Sequence, residues 1–225
     1  MNSEQSPGGY DASDLETFQA VMQSTLEELY KRLPEKAGTL AREVMDFRTS
    51  IIKESDRGAA LMAAAFLDDK LRQLLEMRLV LDRRITKKAF DFNGPLETFS
   101  SRIDFCYLLG ILPKNAANDL HTIRAVRNKF AHHASPLTFD IVEVKAICNR
   151  LAFHGCSEEI DPGQKFRRSV MGILMCITRA ITIAEHIEPQ PEFIVPSRDF
   201  AKNFVKDVFT KLTGKAYPLQ DGPET

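Results

Sequence analysis

The sequence lacks a charge bias. Thirty Lys and Arg face thirty-one Asp and Glu, a formal net charge of −1. No global field therefore draws the chain to nucleic acid, and any such contact needs a local basic patch. Cysteine is scarce: Cys106, Cys148, Cys156 and Cys176 show no CxxC spacing, which argues against a paired-thiol metal site or a disulfide framework. Cys106 and Cys176 sit in apolar helical runs and read as small core residues. Cys148, His154 and Cys156 form too loose a set for a metal site. The most apolar run, Ser169 to Ala184, carries Arg179 and is too short to span a bilayer. The first fourteen residues are polar and acidic, unlike a signal peptide. A reducing cytoplasm is the expected setting. There is no GxxxxGKS/T loop, GxGxxG, HExxH or GxSxG. No metal and no cofactor is expected.

Runs of alternating β-branched residues are also missing, whereas helical periodicity is everywhere. Residues 1–12 read as a flexible tail. Ser13 and Glu16 form an S-x-x-E capping box, behind which Leu15, Phe18, Met22, Leu26, Leu29 and Leu33 keep helical spacing to Pro34. A second helix is expected over Thr39–Lys53. A third, from about Arg57 to Asp82, opens with LMAAAFL, apolar nearly all round, as in the central helix of a bundle. Gly94-Pro95 breaks the chain ahead of a helix through Ile111, and Pro113 starts the next. Asp140 and Glu143 suggest a further capping box and a helix to about Phe153. A long helix, Gln164–Ile187, follows the loop Gly155–Gly163. PQPEF is a rigid connector to a last helix near Ser197–Leu212. The expectation is all-α: a bundle of about eight helices over 13–187, a connector and C-terminal helix over 188–212, and tails at 1–12 and 213–225.

Arg78, Arg83, Arg84, Lys87 and Lys88 make the one basic run, whose plainer reading is a solvated helix end. The densest polar chemistry lies in HTIRAVRNKFAHHA, His121–Ala134. At 100° per residue, Leu120, Ile123, Val126 and Phe130 lie within about 60° of one another's centre and form an apolar face. His121, Asn128 and His132 cluster on the opposite side within about 40°. Asn128 and His132 are an i, i+4 pair and can touch. With Arg124 and Arg127 they form a candidate binding seam. Arg127 falls on the edge of the apolar face, where a guanidinium must snorkel or find an acid. Asp68, on the stripe of Leu61, Ala64, Leu71 and Leu75, is the expected partner in a buried ion pair, with Asp69 and Asp104 as alternatives.

Two stretches carry a resemblance. SDRGAALMAAAFLDDKL (Ser55–Leu71) and NGPLETFSSRIDFCYLLGILPKNAANDLHTIRAVRNKFAH (Asn93–His132) resemble the mannitol-operon repressor family, over about Ser55–Ile187. That resemblance implies an all-helical transcriptional regulator of sugar-alcohol uptake, acting through a protein partner or indirectly and expected as a homodimer. No helix-turn-helix with a basic recognition helix is found, so direct DNA binding is not expected. Arg127-Asn128-x-x-x-His132 is also similar to the R-N-x-x-x-H motif of the HEPN superfamily, many of whose members are metal-independent endoribonucleases. That likeness implies RNA as an alternative partner. His132 would be general acid/base, Arg127 the phosphate ligand, and Asn128 would position the 2′-hydroxyl or the histidine. The wheel sets Arg127 about 140° from His132, which speaks against one shared pocket.

Overall fold

The computed structural model describes residues 12–133 and 137–218. Among them there is no strand, and nine helices follow one another: α1 (Ala12–Arg32), α2 (Glu35–Lys53), α3 (Asp56–Arg78), α4 (Arg83–Phe90), α5 (Phe99–Leu108), α6 (Lys114–His132), α7 (Val142–Cys148), α8 (Pro162–Thr182) and α9 (Arg198–Thr213). The all-α bundle is the architecture, one helix richer than the sequence suggests. The described chain divides after Ile187 into two units, the first holding α1 to α8 and the second the segment with α9.

The first unit is built around α3. Ala59, Ala60, Ala63 and Ala64 are buried in its first half, and Leu67, Leu71, Leu74 and Leu75 in its second. The alanines let neighbouring helices approach closely, and each buried leucine stabilises by about 1.5–3 kcal/mol. Around α3 pack α2, α5, α6 and α8. Leu61 and Ala65 stay exposed, so the apolar girdle of α3 is not closed. Phe130 of α6, Phe139 and Phe166 of α8 continue the core with ring centroids 5.2 and 5.0 Å apart.

Several boundaries differ from the sequence reading. The expected helix to Asp82 ends at Arg78, because Leu79 turns extended (φ −67°, ψ 162°). The chain restarts as α4, whose N-terminal amides at Arg84 and Ile85 donate to the Asp82 carboxylate. The second helix starts at Glu35, directly after Pro34. The capping box of Asp140 and Glu143 is not made: the first turn closes from Lys145 N–H to Ile141 C=O, so Ile141 is the N-cap and no side chain caps α7. The capping box present is at α5, between Thr98 and Ser101. That helix begins at Phe99, and α7 stops at Cys148 rather than near Phe153. α8 spans Pro162–Thr182 and ends short of the expected Ile187. Helix α1 already includes Ala12, so Ser13 is not its cap, and the side chain of Glu16 lies outside the described residues, as do most of the two expected tails.

Cys106 is buried as expected, while Cys176 is half-buried. No helix among the described residues is long and apolar enough to cross a membrane. In the second unit α9 is capped by Ser197, which accepts from Phe200 N–H, and closed by Gly214 in the left-handed region (φ 66°), a conformation that suits glycine at a helix end.

Candidate functional site

Helix α6 is held at both ends. Near its start the buried Asp119 carboxylate accepts from Ala152 N–H and Phe153 N–H at 2.9 Å, pinning the segment after α7. At its C-terminus the Arg57 guanidinium donates to the His133 carbonyl at 2.7 Å, satisfying one of the orphan carbonyls of the helix end. Beyond it, Asp56 accepts from Phe139 N–H and from Arg167. The first residues of α3 thus fix where α6 stops.

With the ends fixed, the faces sort by period. Leu120, Ile123, Val126 and Phe130 are fully buried. His121, Arg124, Arg127 and Asn128 are half-buried and His132 is exposed. Counted from His121, the residues Arg124, Asn128 and His132 fall within about 80° of arc, so Arg124 is the cation of this stripe. Its Nε is buried and has no hydrogen-bond partner among the described residues.

Arg127 stands apart. The expected pair with Asp68 is replaced: Asp68 Oδ1 accepts from Arg102 Nη1 at 2.6 Å. Arg102, only 7% exposed, also donates from Nε to Leu96 C=O (2.8 Å) and from Nη2 to Glu97 C=O (2.9 Å). Its planar fork meets three acceptors at once, which a more distant guanidinium on the edge of α6 does not do. Arg127 acts on Asp68 only through its charge, which lowers the carboxyl's pKa, as Arg102 does more strongly; burial outweighs both and holds it above the ordinary value. The alternative partner Asp104 is also taken, since His121 Nε2 lies 2.9 Å from its Oδ1. With a carboxylate as acceptor the imidazole carries its proton on Nε2.

Asp104 brings α5 into the site. Phe99, Arg102, Ile103 and Cys106 face the core. On the other side, Asp104, Tyr107 and Leu108 share an arc of about 100°. Tyr107 is 42% and Leu108 76% exposed. Next to the polar stripe of α6 therefore stands a carboxylate flanked by an exposed aromatic and an exposed aliphatic side chain. Tyr107 and Leu108 escape a reading by motif. Their signal is the spacing i, i+3, i+4 from Asp104, across the helix from the buried Arg102 and Cys106. The loosely spaced Cys148, His154 and Cys156 show no metal-like set: Cys148 is buried with its thiol pushed up to about 12, and His154 Nδ1 accepts from Cys156 N–H. No group of three or more His, Cys, Asp or Glu that could hold a metal occurs among the described residues.

No family model matches the chain, and no curated protein matches it. Among solved structures, a chain of the X-ray structure of the MtlR-HPr complex from Escherichia coli is similar. It is 18% identical, with a TM-score of 0.41, and the match covers 61% of this chain and 97% of that one. At that identity and score it is a likeness alone, and the site rests on its own geometry.

Proposed function

We propose that the protein is a helical regulatory module of the mannitol-operon repressor kind, which acts through protein contacts made by the seam of α5 and α6. The observation that carries this reading is Asp104. Its carboxylate stands next to the polar stripe, bonded to His121 and beside exposed Tyr107 and Leu108. A carboxylate there repels a phosphodiester backbone. Tyr and Arg, by contrast, are residues from which protein interfaces draw their anchors. The sequence likeness over Ser55–Ile187 supports the regulatory role. The homodimer belongs to the same reading, and sedimentation of the intact chain tests it.

A photo-cross-linking residue placed at Leu108 is expected to capture one discrete protein in the native cell. Capture is lost on Tyr107→Ala or His121→Ala without loss of folding. The ribonuclease reading of Arg127, Asn128 and His132 has a direct test: mixed single-stranded RNA incubated with the purified protein in EDTA. We expect intact RNA. Cleavage by the wild type but not by His132→Ala would overturn the contact reading.

A further inference from the structure

Helix α4 lies outside the seam and has no role in it. Its eight residues carry Arg83, Arg84, Lys87 and Lys88, all exposed and none with an ion-pair or hydrogen-bond partner for its side chain among the described residues. Around the axis these four occupy one arc of about 140°. Phe90, next to Arg83 around the axis at the end of the helix, turns into the core. The four cations form one outward face. Leu81 ahead of the helix, Ile85 on it and Phe92 behind it are 71%, 59% and 84% exposed. Large exposed apolar side chains interspersed with uncompensated cations suit an interaction surface.

We infer that the outward face of α4 docks an acidic amphipathic segment of a protein partner, whose carboxylates meet the four cations and whose apolar residues cover Leu81, Ile85 and Phe92. Charge complementarity selects an anionic occupant, and three observations select a protein among anionic ones. The aliphatic Leu81 and Ile85 find no counterpart along a sugar–phosphate backbone. Asp82 and Asp91 sit at the two ends of the helix, where a continuing phosphate track would meet them. A helix lying in a membrane surface sinks its largest apolar side chains into the lipid, whereas the Phe90 ring of α4 is buried in its own core. The inference extends the protein-contact reading to a second surface and borrows from it only the class of partner.

The test uses the full chain and a fluorescent synthetic helix of Glu and Leu, read by polarisation. Duplex DNA, single-stranded RNA and phosphatidylglycerol vesicles run as parallel probes. The Glu/Leu helix should bind, more weakly as salt rises to about 0.15 M, and a Gln/Leu helix should not. Replacing all four cations (Arg83→Gln, Arg84→Gln, Lys87→Gln, Lys88→Gln) should weaken binding at least about tenfold. Leu81→Ser with Phe92→Ser should weaken it at unchanged charge. All six sites carry exposed side chains, so the core is untouched, and a circular-dichroism melt verifies folding. His132→Ala should bind the probe like wild type, which separates this surface from the seam. Equal binding by wild type and the four-Gln variant overturns the inference. So does tighter binding of either nucleic acid or of the vesicles than of the Glu/Leu helix.

Discussion

Arg102 ties two parts of the chain to its own helix α5: α3 through Asp68, and the turn ahead of α5 through the carbonyls of Leu96 and Glu97. It also lies over the Phe90 ring at 5.5 Å. Removing it strands a half-buried carboxylate and two carbonyls. Arg102→Ala is expected to cost about 3 kcal/mol in denaturant unfolding, and Arg102→Lys to recover only part, since an ammonium cannot reach three divergent acceptors. Asp68 makes a second prediction. Its carboxyl is held above the ordinary 3.8, with burial the largest cause, opposed by the hydrogen bond and charge of Arg102 and the charge of Arg127. A raised folded-state value means that ionisation opposes folding: the advantage of the protonated form is whole below 3.8 and is lost as pH rises through the raised value. Asp68→Asn cannot ionise, so its Tm relative to wild type should rise between pH values below 3.8 and neutrality. A relative fall over that window would show that the pair with Arg102 outweighs burial.

Between helices, the segment at Ala152 and Phe153 is clamped from two sides. Asp119 of α6 holds both amides, and on α8 a Cβ placed at Gly172 would lie 2.4 Å from the Phe153 carbonyl oxygen. The backbone cannot retreat without breaking its bonds to Asp119. Gly172→Ala should therefore destabilise by about 1–3 kcal/mol, although alanine is the better helix former. Combined with Asp119→Ala, which frees the segment, its cost should shrink, because the two sites share one backbone. Thermal melts of the two single variants and the double variant measure this coupling. Such clamps mark what the sequence shows and what it hides. The central place of α3 is legible from LMAAAFL, and the buried face of α6 from the 100° period, because both depend on local spacing. The partner of Asp68 is not, since Arg102 lies 34 residues away along the chain. A sign of it exists: Arg102 shares its face with Phe99, Ile103 and Cys106, as unusual a place for a cation as that of Arg127. The break before α4 hides for another reason. Leu79, Val80 and Leu81 continue an apolar pattern, and only the cap at Asp82 announces a new helix. In the seam, the likeness to known motifs draws attention to Arg127, Asn128 and His132, whereas Asp104, Tyr107 and Leu108 emerge only once α5 lies beside α6.

At the scale of the molecule, buried residues of α2, α3, α5, α6, α7 and α8 join one hydrophobic cluster. Two thiols lie within it on different elements, Cys106 on α5 and Cys148 on α7, both fully buried and both pushed up to about 12 by burial. Near neutral pH almost none of either thiol is thiolate, and no reagent reaches it in the folded state. Labelling of these two cysteines thus reports opening of the core, while Cys156 and Cys176, both half-buried, should react first. If the cluster unfolds as one unit, iodoacetamide labelling followed by mass spectrometry across a urea series should give Cys106 and Cys148 the same midpoint, equal to that of the circular-dichroism transition. Among the described residues the short helix α7 packs chiefly on α6 and α8, so it can open while the centre of the core stays closed. An earlier midpoint at Cys148 than at Cys106 would show the α7 edge parting from a core that α3 still holds together.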